Sequence, residues 1–227
     1  MKLLCPELNE PISFNAESKL VELIIENKRT YAGVTKSLVG QIRDNMDNPW
    51  RLYDENKQES LSFCKSSALV LDPFSVDVNI HSVSNKINDE LLSIANDGDN
   101  YMRTKAVQNE LEIYAQQLLR KIPDGIEITY SADVSNVLKA MSFRVLLQYE
   151  DTLNSLYDYL CVLNDWGGIK LTIFVGLRSF LDDEDMHSLT EMLNYKGIKA
   201  LSIENREQPK IQGLRRILID AHHCVIA

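Results

Sequence analysis

No run of about 18 apolar residues occurs anywhere in the 227 residues, so no segment has the length and apolarity of a transmembrane helix. The first residues, Met1-Lys2-Leu3-Leu4-Cys5-Pro6-Glu7, carry no apolar core of a secretory signal, and a cytoplasmic location is expected. Cysteine is scarce. Cys5, Cys64, Cys161 and Cys224 lie far apart and never in the C-x-x-C spacing that zinc requires, so they read as small hydrophobes of a reducing compartment. Glycine numbers only nine, and none forms a phosphate-binding loop. Neither G-x-x-x-x-G-K-[ST] nor G-x-G-x-x-G can be written at any position. A G-x-S-x-G nucleophile elbow is equally absent. The histidines are His81, His187, His222 and His223, and the run His222-His223-Cys224 cannot converge on one ion, because neighbours on a strand face opposite ways.

What is present suits a folded globular chain: 44 % hydrophobic and 25 % charged residues. Extended pieces open it at Lys2–Leu4 and Ile12–Phe14. Leu20–Ile25 reads as a buried strand, and Val34, Leu38, Val39 and Ile42 form one helical stripe. Trp50–Tyr53 and Ala68–Leu71 are further strands. Next come two long helical patterns, Ile80–Ile94 and Val107–Leu119, broken by Asn96-Asp97-Gly98-Asp99 and stopped at Pro123-Asp124-Gly125. They predict a helical hairpin that must pack on something else. Alternation of strand and helix then returns, with strands at Phe143–Leu147, Leu171–Val175, Ile198–Ile203 and Ile217–Ile219. Helices are expected over Leu153–Leu163 and from Ser179 to Gly197, the acids Asp182–Asp185 serving the positive end of the second. The expected fold is α/β: a mostly parallel sheet in a head formed by residues 1–77 and 141–227, with an α-helical leg inserted at 78–140.

Net charge is −9, which argues against a wholly basic surface. The cations are nonetheless uneven. Residues 28–65 hold Lys28, Arg29, Lys36, Arg43, Arg51, Lys57 and Lys65 against five acids, a set able to contact phosphates if folding brings it to one surface. Asp124, Glu127 and Asp133 cluster after the second long helix. Hard oxygen donors at a hinge suit calcium, although their spacing matches no EF-hand loop.

The opening Met1–Ile12, with Leu8-Asn9-Glu10-Pro11-Ile12, resembles the start of the Csn-two proteins, CRISPR-associated adaptation factors of type II-A systems. The likeness continues through Arg51-Leu52-Tyr53-Asp54, Ala68–Asp77, Glu127-Ile128-Thr129, Leu171–Val175, Phe180-Leu181 and Glu191-Met192-Leu193. This resemblance implies a head related to a degenerate P-loop fold without nucleotide hydrolysis, and no enzymatic activity. It implies a homotetrameric ring that binds linear double-stranded DNA ends during spacer acquisition, alongside integrase subunits and the RNA-guided effector nuclease. It also implies calcium near the hinge of head and leg. Of the family's acidic positions there, only Asp124 and Glu127 are matched, and Arg120 and Lys121 precede them. The contrasting expectations are an NTP hydrolase with an unrecognised phosphate site, or a protein-interaction scaffold that binds no DNA.

Overall fold

The computed structural model describes residues 1–15, 18–47, 49–122, 126, 133–147 and 151–226. The chain is mixed α/β and divides into two compact units, one of residues 1–78 and 147–227, the other of residues 79–146.

The first unit holds two sheets. Strands β1 (Lys2–Leu4), β2 (Ile12–Ser13), β4 (Arg51–Asp54) and β5 (Glu59–Leu61) form a small antiparallel sheet in the order β2-β1-β4-β5. The large sheet uses β3 (Leu20–Ile25), β6 (Ser67–Val70), β7 (Leu171–Val175), β8 (Ala200–Glu204), β9 (Arg215–Ile219) and β10 (Val225–Ile226). Its order is β10-β9-β3-β8-β7-β6, mostly parallel as expected, with five strands parallel and β10 antiparallel at the edge making the sheet mixed. β3 and β8 are buried along their whole length, as both faces are covered.

Alternation on these strands divides the core. Val21, Leu23, Ile25, Leu171, Ile173, Leu201, Ile203, Ile217 and Ile219 face helix α1 (Lys28–Ile42) and the small sheet, meeting Val34, Leu38, Trp50, Leu3 and Leu52. The helix α2 (Phe63–Ser66) adds Phe63, stacked on Trp50 at 6.1 Å. The other face is covered by α6 (Thr152–Asp165) and α7 (Asp183–Lys196), which bury Leu156, Leu160, Leu163, Met186, Leu189 and Leu193. α7 starts four residues later than Ser179, since Asp182 caps it by accepting from the Glu184 and Asp185 amides at 3.0 and 2.9 Å.

The second unit contains α3 (His81–Ala95), α4 (Gly98–Leu119) and α5 (Val134–Ala140). Asp97 caps α4, and Thr104 Oγ1 donates to the Ala95 carbonyl at 2.6 Å, closing the hairpin. The stop at Pro123-Asp124-Gly125 lies outside the described residues. The strand expected at Phe143–Leu147 does not form. Its backbone finds a side chain instead of a ladder: the Val145 amide donates to Asn79 Oδ1 at 2.8 Å, and Asn79 Nδ2 donates back to the Val145 carbonyl at 3.2 Å.

Candidate nucleic-acid interface

Helix α1 begins because Asn27 accepts from the Arg29 and Thr30 amides at 3.0 and 3.2 Å, satisfying two of the helix's free donors. Its sequence contains no Asp or Glu. At about 100° per residue, Lys28, Arg29, Lys36 and Arg43 fall within an arc of about 100°, and Ala32 and Gly33 lie among or beside them. All six are exposed. Gly33 faces open space, so this surface is cationic and has low relief between the long side chains. Among the described residues no carboxylate lies within ion-pair distance of Lys28, Arg29, Lys36 or Arg43.

The inner face of α1 is held by polar as well as apolar contacts. Gln41 is buried, donating from Nε2 to the Trp50 carbonyl at 2.8 Å and accepting the Trp50 amide at 3.2 Å. The Trp50 indole donates to Ser37 Oγ at 2.7 Å. These bonds lock the orientation of α1 against the small sheet and thereby aim its cations outward.

The other three candidate cations are dispersed. Arg51 on β4 pairs with Asp47 at 3.3 Å and donates to the Trp50 carbonyl. Lys57, in the β4–β5 turn, pairs with Glu59 at 3.7 Å. Lys65 is exposed on α2. The seven-residue set therefore separates into one four-cation helix face and three scattered positions, two of them already partnered.

At the end of β3, where a nucleotide fold would wrap a phosphate, the chain is closed. The Glu26 amide donates to the Ile219 carbonyl at 3.0 Å, and the Glu26 carboxylate accepts the Ala221 amide at 3.2 Å. With Asn27 occupying the first amides of α1 and a carboxylate beside it, this corner opposes a phosphate instead of binding one.

A buried charge cluster escaped the sequence reading. Glu22, wholly buried in β3, takes the Arg216 guanidinium at 2.7 Å and that of Arg178 at 3.7 Å. Both arginines also donate to the Pro209 carbonyl at 3.0 Å, fastening the segment 205–214 that crosses β3 from β8 to β9 without a helix. A lone Glu inside the apolar run Leu20–Ile25 and the paired Arg215-Arg216 were the available signals.

A family model described as CRISPR-associated protein (Cas_Csn2) matches residues 44–223. The chain belongs to that family. It is thus a CRISPR-associated protein of the Csn2 family, and the whole of α1 lies ahead of the matched region. Among solved structures, this Csn2-family chain is similar to the "Crystal structure of Stu0660 of Streptococcus thermophilus". The TM-score is 0.59 at 10 % identity, covering 98 % of this chain and 76 % of that one, a likeness of fold. No curated protein matches it.

The calcium candidates are only partly visible in this Csn2-family chain. Asp124 and Glu127 lie outside the described residues. Asp133 caps α5, accepting the Ser135 amide at 2.9 Å and the Ser135 hydroxyl at 2.8 Å. These two bonds hold its carboxyl below the usual range, so it is ionised as a hard cation requires. Among the described residues no group of three His, Cys, Asp or Glu side chains is placed to hold a metal ion, and no helix is long and apolar enough to cross a membrane.

Proposed function

We propose that this chain is a non-catalytic DNA-binding protein that holds linear double-stranded DNA ends during CRISPR spacer acquisition, working as a homotetrameric ring with the integrase subunits and the RNA-guided effector nuclease. Membership of the Csn2 family supports the biological setting. The single observation that carries the DNA contact is the outer face of α1, where Lys28, Arg29 and Lys36 are exposed on an acid-free helix and Arg43 follows them at its C-cap. Such a surface reads phosphate and no sequence. The blocked corner at Glu26 and Asn27 supports a head derived from a phosphate-loop fold that no longer takes a nucleotide. Self-association is supported by α4, whose Val107, Leu111, Tyr114 and Leu118 are exposed at i, i+4, i+7 and i+11, the seam spacing of a helix seeking a partner. Calcium bound through Asp124, Glu127 and Asp133 would stiffen that assembly.

Gel-shift of linear against covalently closed circular DNA, over a salt series, tests the proposal. Linear DNA should be retained and closed circles released. Affinity should fall with salt at about 0.9 in log–log slope per phosphate contacted, and Lys36→Gln should reduce the slope by about 1. Equal retention of both forms, or indifference to salt, defeats it.

A further inference from the structure

The large sheet is electrically polarised from one end to the other. Lys19, Lys199 and Lys170 each occupy the residue just before one of three adjacent parallel strands, β3, β8 and β7. Strand spacing of about 4.8 Å sets their backbones in a row about 10 Å across. At the opposite edge, Glu26 follows β3, Glu204 ends β8 and Asp220 follows β9. The lysines sense one another. Burial pushes the half-buried Lys199 ammonium below its ordinary range, and Lys19 and Lys170 push it further, with Asp54 opposing them. Among the described residues, Asp165 lies near Lys170 and is engaged, pairing with Lys196 at 3.2 Å.

Two aromatic side chains open beside this row. Trp166 terminates α6 four residues before Lys170 and is 43 % exposed; Tyr195, in the last turn of α7, is 93 % exposed. The Lys196–Asp165 bridge joins the two helix ends, so each aromatic neighbours one member of the same ion pair. The Lys19 amide donates to Asn194 Oδ1 at 2.8 Å, tying the start of β3 to the end of α7. An exposed indole at the end of α6, close in sequence to Lys170, offers a flat face on which a base can stack.

We infer that the amino edge of the large sheet is a second nucleic-acid site, which takes an unpaired single-stranded end, its phosphates along Lys19, Lys199 and Lys170 and a base stacked on Trp166. Lysines alone would suit any polyanion, but only nucleic acid offers phosphates and aromatic faces together. The site lies apart from α1 and rests on the reading that the chain holds DNA ends for its biological setting.

The two tryptophans make the test direct, because Trp50 is fully buried and Trp166 is not. An oligothymidylate of about 12 nucleotides, titrated into the full chain, should quench the Trp166 emission saturably, whereas polyglutamate of equal charge should not. Trp166→Leu should abolish the quench and weaken oligonucleotide binding about tenfold, with the remaining Trp50 emission reporting an intact fold. Lys170→Gln with Lys199→Gln should lower the salt slope by about 1.4, at roughly 0.7 per phosphate of a single strand. Oligonucleotide binding without a change in Trp166 emission, an equal quench by polyglutamate, or an unaltered salt slope overturns the inference. Retention of linear duplex without any oligothymidylate binding overturns it too, and leaves the α1 reading standing. A saturable quench in a chain that binds closed circles as well as linear DNA does the reverse.

Discussion

Glu22 sits wholly out of water in a strand of aliphatic residues, and its charge is met by two guanidinium groups that also fasten the 205–214 segment. Glu204 completes the cluster, its Oε1 accepting the Ser202 hydroxyl at 2.6 Å and the Arg178 amide at 3.1 Å. Burial raises the Glu204 carboxyl above its ordinary 4.5, and the nearby Glu22 adds to the rise. The unfolded chain therefore loses this proton at lower pH than the folded one. Folding stability falls as pH climbs from about 4.5 through the folded value, and the loss persists above it. Glu204→Gln keeps an acceptor for both donors and removes the titration. Its melting temperature should exceed the parent's by a few degrees at pH 7 and equal it below pH about 4, as thermal unfolding over a pH series would show. A deficit of the same size at every pH would mean that the carboxylate's partners outweigh its burial. Cys5 is inert for a related reason, since burial pushes its thiol up to about 11.

Among the elements, α1 does most to shape the candidate interface. Its apolar stripe was readable from Val34, Leu38 and Ile42, because a 3.6-residue period shows in a linear sequence. The cations on its outer side were also readable, but the interruption of the set at Arg51 was not, as that depends on where β4 places a side chain relative to Asp47. Gln41 gave no signal at all. A buried amide looks like any surface glutamine until Trp50 is known to lie against it. Gln41→Leu leaves the Trp50 amide buried without an acceptor, and should cost about 1–3 kcal/mol in denaturant unfolding while α1 keeps its helical signal. The failed strand at Phe143–Leu147 belongs here as well. Apolar composition suits a strand, but only a neighbouring ladder makes one, and Asn79 took the backbone bonds first.

For the whole molecule, self-association is tested on α4. The exposed seam on α4 offers a surface that water does not favour. Paired substitutions Leu111→Glu and Leu118→Glu should convert the proposed four-chain particle into smaller species by size-exclusion chromatography with light scattering, without loss of helicity. A four-chain particle that survives them places its contacts elsewhere. The acid–base polarity of the large sheet is likewise a property of the assembled fold. Lys19, Lys170 and Lys199 are scattered over most of the chain's length, and only the order β3-β8-β7 makes them neighbours.

The sequence by itself determined the alternation of strands and helices, the absence of a phosphate loop and the run of cations between residues 28 and 65. Periodicity and composition are local, and local patterns survive in one dimension. Tertiary structure alone decided that Arg51 and Lys57 are partnered apart from the α1 cations, that Glu22 and Glu204 are buried, and that three distant lysines line one edge of a sheet. Those facts depend on which strand lies beside which, and parallel order is set by long-range crossovers that leave no spacing rule in the chain.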